Sequence, residues 1–179
     1  MRTTTLVNVR WFVPCTPSWR DLLKSLGKDR EDSEPLPLSE IHRLLGIRDA
    51  LWATRTQSPK AIRELIFRYA EEGARLSKQP QVHYAIKVAR ELAKGETQEF
   101  SRETAIAGLF DLRDTAGERE VRLAADLAIM TLNSLNIRDT RRLSSTVAEI
   151  ARVAGELIVD RERPSGEIVS EIFLEWANS

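Results

Sequence analysis

The feature that most limits what this chain can fold into is a series of apolar stripes of helical period that begins at residue 58. Ser58-Pro59 is a cap followed by proline at the first helical position, where its missing N–H costs nothing. Beyond it, Ile62, Leu65, Ile66, Tyr69, Ala70, Gly73 and Leu76 keep the i, i+3, i+4, i+7 spacing that gathers side chains on one helix face. Glu64–Arg68 and Glu71–Arg75 stand at i, i+4 on the other side. Pro80 opens a stripe of Val82, Ala85, Ile86, Ala89, Leu92 and Ala93, closed by Gly95. Ser101 opens another with Ala105, Leu109 and Leu112 inward and Gly117 after it. From Glu118 to Leu135 the charges thin to Arg122 and Asp126 beyond the first turn, leaving a narrow polar strip, and a helix apolar on most sides is expected at the centre. Leu143, Val147, Ile150, Ala151, Ala154, Leu157 and Ile158 make the next stripe, and Ser165 caps a terminal helix reaching Trp176.

Helix starts at 59, 80 and 101 are about 21 residues apart, so two units make roughly the length of a paired-helix repeat, without residue-level self-similarity. Alanine recurs at contact positions (Ala85, Ala89, Ala93; Ala124, Ala125, Ala128; Ala148, Ala151, Ala154), which lets helix axes approach closely. The short connections imply antiparallel neighbours.

The first third reads differently. In Leu6–Val13, Val7, Val9, Trp11 and Val13 alternate with Leu6, Asn8, Arg10 and Phe12, and Pro14 and Pro17 end the run, which predicts a strand. A lone strand makes no stable sheet, so it is an arm lying on the helices, half of a small hairpin, or a pairing edge for a second copy of the chain. Ser18 caps a short helix over Trp19–Leu26 that Gly27 closes, and 28–37 is a loop. Ser39 opens a second short helix stopped by Gly46, and a third runs from Ile47 to Arg55. The whole is expected to be all-α: a single-domain stack of seven or eight antiparallel helices over 18–179, with an extended N-terminal arm over 1–17. Trp11, Trp19, Trp52 and Phe12 crowd the arm and short helices, either as a lid on one end of the stack or as an aromatic binding patch.

Composition narrows the function classes. The 179 residues carry 27 basic and 27 acidic side chains, and zero net charge argues against a dedicated nucleic-acid binder. One cysteine rules out a disulfide framework or a multi-cysteine zinc site. No apolar run of signal-peptide length opens the sequence, and the longest uncharged stretch beyond the first residues, Leu127–Ile137, is too short to span a bilayer; a soluble, cytoplasmic protein is expected.

Reactive groups are sparse. His42 and His83 have no partner in a local motif, Cys15 lies between Pro14 and Pro17 with no evident activator, and neither metal-ligand spacings nor phosphate-loop or nucleophile-elbow motifs occur. No catalytic residue, metal or cofactor is expected, although a pocket could be assembled from scattered acids and arginines, for example around Asp126. Two charged constellations stand out. Arg138, Arg141 and Arg142 form a basic knot that could hold a phosphate or an acidic partner, with Asp139 partly neutralising it. Glu167, Glu171 and Glu175 line one ridge of a terminal helix that has no base of its own, so they are balanced from elsewhere, by Arg161 or Arg163 for instance, or presented to a basic partner. Trp176 beside them either docks on the core or serves as an anchor for that partner.

The segment Leu36-Pro37-Leu38-Ser39-Glu40-Ile41, then Asp49-Ala50-Leu51-Trp52-Ala53-Thr54-Arg55, Ile62-Arg63, Tyr69-Ala70 and the Val82 to Gly95-Glu96 stretch together resemble the alanine-rich helical domain of an immunity-protein (Imm-5-like) group found in bacterial and phage proteins. The resemblance covers about a third of the chain and departs from the group after Gly95-Glu96, where Phe100 to Gly117 replaces a longer alanine run. It implies a helical protein that binds and neutralises a toxin, with no catalytic residues to carry over. The expected function is therefore a non-catalytic protein–protein interaction module, with Glu167, Glu171, Glu175 and Trp176 as its contact surface. A phosphate or nucleic-acid binder using Arg138, Arg141 and Arg142 is the alternative from another class.

Overall fold

The N-terminal segment is helical where the alternation of Leu6–Val13 predicts a strand. In the computed structural model, which describes residues 1–75, 77–157 and 165–179, Leu6–Trp11 forms helix α1. Thr5 is its cap: the hydroxyl accepts the Asn8 N–H at 3.1 Å. Leu6 and Val9, three apart, are buried, whereas Val7, Trp11 and Val13 are exposed, so the burial period is helical. The extended part shrinks to Thr3–Thr4 (β1), which pairs antiparallel with Leu36–Pro37 (β2) of the same chain in the register Thr3 to Pro37 and Thr4 to Leu36. Val13 closes the turn after α1 at φ 55°, a left-handed conformation that a β-branched residue adopts only under strain.

Helix α2 (Thr16–Ser25) starts earlier than Ser18 predicts, because Pro17 sits in its first turn rather than ending a strand. Helices α3 (Leu38–Leu45) and α4 (Ile47–Ala53) are separated by Gly46 at φ 83°, where a side chain would be strained, and a 3-10 turn (Thr54–Thr56) ends α4. The long helices follow as α5 (Pro59–Arg75), α6 (Pro80–Lys94), α7 (Glu99–Thr115), α8 (Arg119–Ser134), α9 (Thr140–Leu157) and α10 (Ser165–Asn178). The protein is all-α, with ten α-helices among the described residues rather than seven or eight; the excess comes from the N-terminal third. Leu76, Ile158, Arg161 and Arg163 lie outside the described residues.

The core lies where the stripes predict. Helix α5 packs most extensively on α9, and α8 touches α5, α6, α7 and α9, which places the helix with the narrowest polar strip at the centre. Gly73 marks the closest approach: a Cβ there would stand 2.7 Å from Leu127 Cδ2 and 3.3 Å from both Ala154 Cα and Cβ. Ala154 and Ala151 are buried as contact residues, but Ala93 and Ala148 face solvent. Helix α7 is peripheral, burying only Ala105 and Leu109. Arg75 pairs with Glu72 at 3.0 Å rather than with Glu71, whose carboxylate forms a bidentate pair with Arg90 of α6.

Helix α10 seals the assembly. Phe173, Trp176 and Ala177 are fully buried, and the Trp176 indole N–H donates to the Ala61 carbonyl at 3.0 Å. Arg2 clamps its end: the guanidinium donates to the Trp176 carbonyl at 2.5 Å and to Ser179 Oγ at 2.6 Å, and lies 4.6 Å above the indole ring. The backbone closes the same contact, with the Arg2 N–H on the Ala177 carbonyl at 2.6 Å and the Leu38 N–H on the Arg2 carbonyl at 3.1 Å.

Candidate functional site

Helices α1 to α4 enclose a groove of about 270 Å³, close to the lower bound of about 300 Å³ for small-molecule sites. Val9, Trp19, Leu22, Ile41, Leu45, Trp52 and Ala53 line it, so its walls are two indoles and aliphatic side chains. These residues reach one cavity because each lies on the inner stripe of a short helix, and the turns at Val13–Pro14 and Gly46 fold those helices around a common space. Arg48 and Asp49 stand at the mouth, 3.7 Å apart, with the Arg48 side chain 89% exposed. Arg10 adds a second cation, its guanidinium 5.6 Å from the Trp19 ring centroid. Asp49 is the one acidic residue of the lining.

Cys15 also lines the groove, with its sulfur 3.0 Å from Ser18 Oγ, and that hydrogen bond lowers the thiol pKa from its ordinary value. Trp11 and Val13 lie outside the lining: Trp11, on the side of α1 away from Val9, is 78% exposed, and Val13, next to Pro14, is 73% exposed. The first-third aromatics therefore divide: Trp19 is buried in the lid, Trp52 is half-buried in a groove wall, and Trp11 is presented to solvent.

The acidic ridge takes a different form from the one its spacing suggests. Glu167, Glu171 and Glu175 are exposed along α10, and Glu167 and Glu171 each have interaction partners in the folded chain. Trp176 is no surface anchor. It is buried beneath the ridge, with its one N–H satisfied by Ala61.

Arg138, Arg141 and Arg142 are all exposed at the start of α9, but they do not act as one knot. The Arg142 N–H is capped by Asp139 Oδ1 at 2.9 Å, and the Arg141 guanidinium lies 5.6 Å from the Phe12 ring. The structure adds a neighbour that no local pattern reveals, Arg55, whose proton affinity is lowered first by burial and then by the Arg141 charge.

The histidines have structural surroundings. His42 stacks on Phe173 with centroids 5.7 Å apart, and burial pushes its pKa below the ordinary value. His83 Nε2 contacts the Ser77 carbonyl at 2.8 Å. Asp126 pairs with Arg113 at 3.6 Å across the exposed seam between α8 and α7. Among the described residues no group of three or more His, Cys, Asp or Glu is arranged to hold a metal ion, and no helix is long and apolar enough to cross a membrane. No protein-family model, curated protein or solved structure matches the chain.

Proposed function

We propose that this chain is a non-catalytic protein-binding module whose contact surface is the N-terminal face around the α1–α4 groove. The observation that carries the reading is Trp11, an indole 78% exposed on a six-residue helix that also helps to wall an apolar groove. Tryptophan and arginine are among the residues most enriched at interface hot spots; Arg48 lines the groove, Arg10 lies over its Trp19 wall, and Trp11 is exposed on the same short helix as Arg10. The occupant is a partner segment that inserts an apolar side chain between flanking carboxylates, because the rim offers two arginines against a single aspartate already beside Arg48.

This reading fits an immunity-type role. A helical face that covers a toxin's active site needs no reactive group of its own, and arginines at the rim speed encounter with an acidic surface. The acidic ridge of α10 is the less favoured contact surface, since its indole is buried and two of its carboxylates have partners.

A photo-crosslinking amino acid at position 11 of the full chain, expressed in its native host, tests the proposal. The expected result is one discrete protein adduct that Arg48→Glu abolishes and that the same probe at Tyr84, exposed on α6, does not give. Equal adducts from both positions, or an adduct indifferent to Arg48→Glu, would sink the assignment.

A further inference from the structure

We propose that Arg55 and Arg141 together form a binding site for a phosphate-type dianion. The two side chains come from separate elements, the 3-10 turn after α4 and the first turn of α9. Buried hydrogen bonds fix these elements to each other. The Ser144 hydroxyl of α9 donates to the Leu51 carbonyl at 2.9 Å, and the Thr54 hydroxyl donates to the same oxygen at 2.7 Å. Ser144 and Thr54 are both buried, so the placement of the arginines follows from the core rather than from loose surface chain.

Each guanidinium is backed by an aromatic ring. Arg55 lies 4.9 Å from the Trp52 centroid and Arg141 lies 5.6 Å from the Phe12 centroid. A guanidinium held over a ring keeps its N–H edges free to donate, and it loses less rotamer entropy on binding an anion than a free side chain would.

The local charge balance is what calls for a ligand. Arg43, Arg48, Arg68, Arg75, Arg90, Arg102, Arg113, Arg119 and Arg152 pair with carboxylates, and Arg2, Arg63 and Arg122 donate to carbonyls. Among the described residues Arg10, Arg20, Arg30, Arg138 and Arg142 lack such partners but are exposed to solvent at the surface, whereas Arg55 is half-buried. Among the described residues neither Arg55 nor Arg141 has an ion-pair partner within 4.0 Å, and the Arg55 Nε, like that of Arg63, is buried without an acceptor. Asp139 is the carboxylate acting on Arg55, and one of its oxygens is already committed to the Arg142 N–H. Two neighbouring cations facing one partly engaged anion repel each other, and a dianion bound between their accessible N–H groups relieves the repulsion. A phosphate dianion carries twice the charge of a carboxylate and more acceptor oxygens to share between two guanidinium groups, and Arg138 and Arg142 add exposed positive charge nearby.

The inference does not rest on the groove reading. Its test titrates the full chain with inorganic phosphate at constant ionic strength, with chloride as the balancing salt, following heat release and the Arg Nε–H NMR signals. The expected result is a single saturable site, weakened about tenfold or more by Arg141→Gln and by Arg55→Gln, because each removes a charge-assisted pair. Arg119→Gln, which removes an exposed arginine on α8 paired with Glu156, leaves it unchanged. Trp11→Ser also leaves it unchanged, which separates this site from the proposed protein contact. Methyl phosphate, a dianion, binds more tightly than dimethyl phosphate, a monoanion. Arg141 is exposed, so Arg141→Gln folds even if loss of the half-buried Arg55 disturbs the turn. Phosphate binding undiminished in Arg141→Gln, an equal response to chloride, or equal affinity for the two esters would overturn the proposal.

Discussion

The Tyr69 hydroxyl donates a 2.9 Å hydrogen bond to the carbonyl of Val169, and both residues are buried. Like the Trp176 indole bond to Ala61, it pins α10 to α5, and burial pushes the phenol pKa far above its ordinary value, so the hydroxyl stays a donor. Tyr69→Phe keeps the ring and removes the second hydrogen bond on a carbonyl that α10 already engages within its own helix. The expected loss is about 0.5–1.5 kcal/mol in urea unfolding, and no measurable change would show that the hydroxyl contributes nothing to stability.

Gly73→Ala tests the seam between α5 and α9. Alanine gains as much as ~1 kcal/mol of helix propensity at this position. Against that, the new methyl meets Leu127 Cδ2 at 2.7 Å and Ala154 backbone at 3.3 Å. The leucine tip can swing aside but the backbone of a central helix cannot, so overpacking of about 1–3 kcal/mol prevails. A calorimetric melting temperature below that of the parent is expected; an increase would mean that the helices separate freely.

Val13→Gly is expected to stabilise. At φ 55° valine carries backbone strain of about 1–3 kcal/mol, and its side chain is 73% exposed, so little packing is lost. Glycine's greater freedom in the unfolded chain takes back about 0.4–1 kcal/mol. A net gain in denaturant midpoint, together with a weaker position-11 adduct, would mark Val13 as a residue kept for contact at the expense of stability.

His42 sets a pH dependence near neutrality. Burial against Phe173 lowers its pKa in the folded state below the ordinary 6.5. The unfolded chain then binds the proton more readily, so stability is complete above about pH 6.5 and falls as the pH drops below it. Asp32, Glu40 and Glu149 have lowered pKa values through their partners Lys28, Arg43 and Arg152, and so contribute losses only at more acidic pH. Urea midpoints measured from pH 7.5 to 5.5 should decline in the parent and stay level in His42→Gln. A parallel decline in both would assign the effect elsewhere.

The long helices were legible because their stabilising contacts are periodic in the sequence: Pro59 and Pro80 open α5 and α6, and Ile62, Leu65, Ile66 and Tyr69 are all buried as spaced. The α1 segment looks like a strand because valines raise strand propensity and alternate by chance, while the competing signal, Thr5 as a cap with Leu6 and Val9 at helical spacing, is only two turns long. The groove is half visible in the sequence: the clustering of Trp11, Trp19 and Trp52 points to either a lid or a binding patch, and in the structure Trp19 and Trp52 wall a groove while Trp11 is exposed. The pairing of Arg55 with Arg141 was invisible because it depends on Ser144 reaching back to Leu51 across more than ninety residues. No local pattern encodes that separation.

Helix α10 contacts α3 and α4, and its end is held by Arg2. Two walls of the groove are thus braced by residues more than a hundred positions downstream. A premature stop before Phe173 would remove no groove residue, yet it would take away the ring that stacks on His42, next to Ile41. Such a truncation is expected to loosen the groove, although every residue that lines it is still encoded.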